Sequence, residues 1–492
     1  MLPSVAMAAP AGAQTATPGV GPYGPLSTEP DENGLLLPEG FTSRVVGISG
    51  ELVGDTEYVY PAFPDGSATF ATDDGGWIHT VNSEVFRFVA PDAGGVSAVR
   101  YDKDGVIVDA YRILEGSNSN CAGGPTPWGT WLSCEESFEG DGRVFECDPT
   151  GDEEAVAHLP MGRFAHEAVA VHEPSETLYL TEDNAESVLY RYTPTAYPDL
   201  SAGLLEAATV AANGSVTWAE IPDPTGTSTP TRQQLPGATR FNGAEGIWCH
   251  EDTIYFTTKG DHTVHAIDVA AQTYEIVWKG DPDGLGIEGA VLSGVDNITV
   301  DAGSGDLFVA EDGANMEVVV ISTEGEVAPF VRIVAPGHEG SEVTGPCFNP
   351  TRDRLYFSSQ RGPSSATLAA TVPGATGDGT GIGVTFEVTG PFRGRVVPDE
   401  EPTTSSAAPT TTLARAGEGD GGSAGAGGSS DDDSDDDSGS DSKVPLIVGG
   451  LVVGAAAGAV LALRNRRPAT THAIGHDHDG SDGGSGDGGD SD

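Results

Sequence analysis

Basic residues are the scarcest resource of this 492-residue chain: 23 Lys and Arg stand against 75 Asp and Glu, a formal net charge of −52. Nucleic acid and anionic membrane surfaces both need a basic footprint, so neither is expected as a ligand. Cysteine is nearly as rare, with five residues, an odd number that leaves at least one thiol unpaired. Long amphipathic helical patterns are missing from residues 35 to 398, as are a G-x-S-x-G elbow and a G-x-G-x-x-G before a helix, which removes serine-hydrolase and Rossmann chemistry. Only one long hydrophobic run occurs, Val444 to Leu463.

That run is uncharged and, at 1.5 Å per residue, reaches roughly 30 Å, the thickness of a bilayer core. Arg464, Arg466 and Arg467 follow it, whereas its upstream flank is rich in aspartate. The positive-inside rule then predicts a single-pass anchor with residues 464–492 cytoplasmic and everything before it on the extracellular face of the membrane. Residues 399–443, Thr/Ser/Pro-rich and then Gly/Ser/Asp-rich with "DDDSDDDSGSDS", cannot bury enough apolar surface to fold and read as a solvated spacer. A cation-buffering role for that run, and weak metal binding by His472, His476 and His478, are the alternatives to plain spacer and tail. Residues 1–13 end in Ala11-Gly12-Ala13, the small-residue pattern of a signal-peptide remnant.

Between them, residues 35–398 hold many short apolar runs closed by Gly, Asp, Asn or Pro, the mark of an all-β domain. Stretches from His166, Ala244, Asp296 and Gly345 resemble one another, each a strand, an acidic or proline turn, a second strand and a polar tip. Gly75 and Gly129 open fragments of two more units. Repeated small sheets that cannot bury both faces alone predict a β-propeller of about six blades, a β-solenoid being the alternative. First strands of such blades line a channel, and here they carry His166-Glu167, Glu245 and Asp296-Asn297. Second-strand ends carry Asn82 with Glu84, Glu135-Glu136, Glu182-Asp183 and Glu311-Asp312. Acids converging from several blades repel unless a cation sits between them, and calcium, with six to eight oxygen ligands, suits them.

"CAGGPTPWGTWLSCEE", "GRFAHEAVAV", "LYLTEDN" and "AEGIWC", in that order, resemble the secreted PhoX-type alkaline phosphatases. The resemblance implies a propeller whose channel mouth holds ferric iron and calcium and hydrolyses phosphate monoesters, with a small phosphorylated substrate and a monomeric state. It implies that Cys121 and Glu245 bind iron, Glu135 and Glu136 form the acidic pair, and Glu182 with Asp183 forms a ligand tip. Asp296, Asn297 and Glu311 fall on the calcium side, and Glu167 is a ligand or supports one through His166. Where the family has a phosphate-clamping arginine, this chain has Gly243; Arg240, Arg163 and Arg361 are the candidate replacements. Thiolate suits iron, yet a Cys121–Cys134 disulfide stays open for an exported chain. Cys134, next to Glu135 on a strand, is expected to face the other way and pack in the core. Two rival functions remain, a catalytically silent calcium-stabilised propeller and a calcium lactonase.

Overall fold

The computed structural model describes residues 15–281, 291–313 and 315–396. The predicted spacer, span and tail lie outside the described residues, as does the signal remnant. No helix among the described residues is long and apolar enough to cross a membrane.

The described chain is all-β, with one four-residue α-helix, Leu368–Thr371. Its strands form six antiparallel sheets in sequence order, the blades of a propeller. Their first strands are Pro64–Ala71, Asn120–Pro125, His166–His172, Ala244–His250, Val295–Val300 and Val343–Phe348. Each first strand packs against the first strands of the two neighbouring blades, so the six close a ring around the axis. The ring is locked at blade six, where Val384–Thr389 pairs antiparallel with the upstream strand Thr42–Ile48. Thr17–Pro18, before the expected domain start at residue 35, adds in parallel to the outer edge of blade five, against Glu326 and Val327.

Alternation explains why these strands are buried on both faces. In blade three, Val169, Val171, Leu178 and Leu180 enter the core shared with Leu132, Cys134 and Val144 of blade two. Their neighbours Ala168, Ala170 and Tyr179 enter the core shared with Ile247, Ile254 and Phe256 of blade four. A period of two thus glues each blade to both neighbours, at about 1.5–3 kcal/mol for each large side chain removed from water.

Glycines bring the inner strands together. A Cβ on Gly66 would fall 2.4 Å from Ala122 Cα, and one on Gly246 would fall 2.7 Å from Asn297 Cα. Lined by Gly66, Gly123, Gly246, Gly345 and their neighbours, the axial void is about 20 Å³, room for about one water. It is too narrow for a substrate.

Candidate metal centre

Six equivalent positions build the site. In every blade one residue of the first strand pairs with the last residue of the second: Pro64 with Ser83, Asn120 with Glu135, His166 with Glu182, Ala244 with Thr258, Val295 with Glu311, Val343 with Ser359. A register shift follows within a residue or two in all six. Such a bulge re-aims the side chain beside it. The re-aimed residues are Asp65, Cys121, Glu167, Glu245, Asp296 and Thr344. The residues just past the second-strand ends form a second tier: Glu84, Glu136, Asp183, Lys259, Asp312 and Gln360.

Ligand-capable atoms of these tiers, joined by Glu342 just before the first strand of blade six, meet in overlapping groups within 4.8 Å: Asp65, Glu84 and Cys121; Cys121, Glu136 and Glu167; Glu167, Glu245 and Asp296; Asp296, Asp312 and Glu342. The groups share members, so together they form one continuous anionic arc. All but Asp312 are buried. Cys121 Sγ lies 3.1 Å from Glu167 Oε1, and Gln360 Nε2 donates to both Asp65 and Glu84. Lys259 Nζ stands 3.1 Å from Glu245 Oε1 and Asp296 Oδ2 and 3.2 Å from Asp312 Oδ2.

Burial, and then the charge of the other acids, pushes Asp65, Glu167 and Glu245 well above the carboxylate range; for Glu245 the strongest like-charge repulsion comes from Asp183. Burial, followed by Asp65 and Glu167, likewise holds the Cys121 thiol up. Asp65 Oδ1 and Glu167 Oε2, both wholly buried, have no hydrogen-bond donor. A buried carboxylate oxygen without a partner is costly, and a cation on those lone pairs removes the cost.

Of the groups predicted from sequence, the fold thus brings together Glu84, Cys121, Glu136, Glu167, Glu245, Asp296 and Asp312, with Asp183 facing Glu245. It does not bring in Glu135, Glu182 or Glu311, because adjacent strand residues point to opposite faces and each pair has one inward member. Glu135 forms a two-pronged ion pair with Arg143 at 2.8 and 2.9 Å. Glu182 accepts from Arg232 at 2.6 Å and from Tyr190 at 2.8 Å, and Glu311 accepts from the Ser293 backbone at 2.7 Å. Asn297 braces Asp296, donating to its Oδ1 at 3.0 Å while accepting from the Gly345 N–H at 2.7 Å.

Arg361 reaches the arc through Glu342 Oε1 at 2.8 Å. Arg240 is exposed and its guanidinium donates to the Arg232 carbonyl. Gly243 adopts φ +66°, where a Cβ would also lie 3.3 Å from Asp183 Oδ1, so an arginine there would be strained. The disulfide alternative is not realised: all five cysteines are free, and Cys134 is core.

Asp65, Gln360, Lys259 and Glu342 escaped the sequence reading. Aligning "PDG", "NCA", "HEA", "AEG" and "VDN" across blades finds Asp65, and aligning the tips "CEE", "TED" and "AED" with "TTK" finds Lys259.

Fold and site together define a six-bladed propeller with a buried, thiol-containing carboxylate arc at the mouth of its channel. The profile of alkaline phosphatase PhoX matches residues 82–362, and the chain belongs to that family. Among solved structures it is similar to Pseudomonas fluorescens PhoX in complex with vanadate, a transition state analogue, with 18% identity, 74% of this chain and 97% of that one covered, and a TM-score of 0.59. A gluconolactonase from Xanthomonas campestris is a looser likeness, at 14% identity, 76% and 99% coverage and a TM-score of 0.39. No curated protein matches the sequence.

Proposed function

We propose that the chain is a metal-dependent phosphatase that hydrolyses small phosphate monoesters at the channel mouth. The observation that carries the reading is the buried arc around Cys121, in which Asp65 Oδ1 and Glu167 Oε2 lack any protein donor. The donor set fits the expected ions: Cys121 with Glu136, Glu167 and Glu245 suits ferric iron, and the neighbouring carboxylates Asp65 and Glu84 suit calcium. Bound there, the ions would supply Lewis-acid neutralisation of the phosphate oxygens.

The protein's own part is to hold and to exclude. Packed inner strands keep bulk water from beneath the acids, which strengthens every charge interaction at the mouth. Arg361, fixed by Glu342, offers a planar guanidinium to a phosphoryl group, a role for which a lone ammonium is less suited. The test is metal analysis of the purified protein alongside turnover of a panel of phosphate monoesters. Iron, calcium and turnover together support the reading; turnover that survives complete metal removal sinks it.

One observation favours a second reading, a catalytically silent cation-stabilised propeller: the clamp position is Gly243, in a backbone conformation that disfavours arginine. Full metal content without turnover would establish it.

Residues 444–463 are proposed as the single span and residues 399–443 as the spacer, carrying the propeller on the extracellular face with residues 464–492 inside. Protease treatment of intact cells should release the propeller; protection of it would overturn that topology.

A further inference from the structure

Lys259 breaks the pattern of its own ring. The equivalent residues of the other blades are Glu84, Glu136, Asp183, Asp312 and Gln360, all oxygen donors. Here an ammonium takes the place, with 15% of its side chain exposed, and contacts three carboxylates at 3.1, 3.1 and 3.2 Å. Its compact charge is shared among three carboxylates, and Asp296 Oδ2 accepts a hydrogen bond from it. Its backbone N–H donates to the Gly243 carbonyl at 2.8 Å, which ties the start of the Lys259 turn to the segment that enters Glu245.

We infer that Lys259 stands in for one divalent cation on the blade-four and blade-five side of the arc. Glu245 and Asp296 belong to one ligand group, and Asp296 and Asp312 to another; Lys259 engages all three. A calcium ion at about 2.3–2.6 Å from the same oxygens would meet the ammonium at short range and with like charge. The lysine therefore fills that side, and metal loads on the Cys121, Asp65, Glu84, Glu136 and Glu167 side. The departure also offsets, without any ion from solution, part of the charge of Glu245, Asp296 and Asp312.

The inference rests on the reading of the arc as a cation site. The experiment measures iron and calcium per chain by elemental analysis, and calcium affinity by titration calorimetry, on the full-length protein and its Lys259→Gln and Lys259→Arg variants. Lys259→Gln is expected to gain about one calcium per chain, and Lys259→Arg to gain none. Asp312→Asn in the unaltered background supplies a second readout that does not depend on the lysine variants folding. Its ion count is expected to equal that of the parent, because Lys259, not a metal, engages that carboxylate. A Lys259→Gln protein with the parent count, or an Asp312→Asn protein that loses an ion, overturns this inference alone. A parent protein that holds no metal overturns it together with the reading on which it rests.

Discussion

Cys121 Sγ and Glu167 Oε1 lie 3.1 Å apart although forty-six positions separate them in sequence. They occupy the same position of neighbouring blades, the residue aimed inward by the bulge of the first strand. A thiol held up by burial and by the charges of Asp65 and Glu167 is no spontaneous thiolate. It becomes one when a cation displaces its proton, so metal affinity at this end of the arc should fall as pH falls.

Cys121→Ser keeps the size and removes the soft donor. It should lower iron content by at least about tenfold while leaving calcium largely in place. Elemental analysis of the variant, with circular dichroism to confirm folding, checks this; an iron content equal to the parent would move the iron ligand elsewhere.

Glu245→Gln removes one charge and one good donor from the group it forms with Glu167 and Asp296. Turnover of a phosphate monoester should drop by roughly two orders of magnitude or more, with thermal stability changed little or raised, since a repelling buried acid is gone. A parent-like kcat/KM would remove Glu245 from the machinery.

Removal of metal leaves Asp65, Glu84, Glu136, Glu167 and Glu245 facing one another, with Lys259 beside Glu245 and Gln360 between Asp65 and Glu84. Melting temperature should fall on chelation and recover on adding calcium, the gain following RT ln(1 + [L]/Kd), about 2.7 kcal/mol at a hundredfold excess over Kd. Differential scanning calorimetry with and without chelator decides it.

Acid should destabilise the propeller through its buried imidazoles. Burial lowers His79 and His265 to about 3. Each folded value lies below the unfolded one, so stability is full above about pH 6.5 and falls as the pH drops toward 3, by about 1.4 kcal/mol per pH unit per histidine. His79, stacked on Tyr356 at 4.5 Å, is the cleaner probe. His79→Phe should make the acid slope shallower by about one proton; an unchanged slope would show that His79 takes no part.

Gly246→Ala should be among the worst single substitutions in the protein. Its new methyl would meet backbone, 2.7 Å from both Asn297 Cα and Ile298 N, and no side chain can rotate away. A loss of about 3 kcal/mol or more is expected, measurable by urea denaturation; Gly129→Ala, with open space but a φ of +89°, should cost nearer 1 kcal/mol.

The repeating architecture was legible because tips such as "LYLTEDN" and "IYFTTKG" recur where short apolar runs end, and the inward acids Glu167, Glu245 and Asp296 open the runs that follow their turns. Which member of a Glu-Glu or Glu-Asp pair faces the channel was not legible. The bulge that decides it inserts into the two-residue period and so cannot be counted from alternation alone. Asp65 was hidden for a related reason: "FPDGS" has the composition of a turn, and only pairing with Ser83 makes it a strand. Glu342 precedes its strand, and Lys259 is basic in an arc sought through its acids.

The pairing of Ile48 with Val384 has a consequence in time. During synthesis the strand Thr42–Ile48 emerges early, and its partner appears roughly 340 residues later, on the order of half a minute at about 5–20 residues per second. Until then an edge strand stands without its neighbour and blade six is incomplete. Closure of the ring, which sets Gln360 of blade six on Asp65 and Glu84 of blade one, is therefore the final event of this domain's folding.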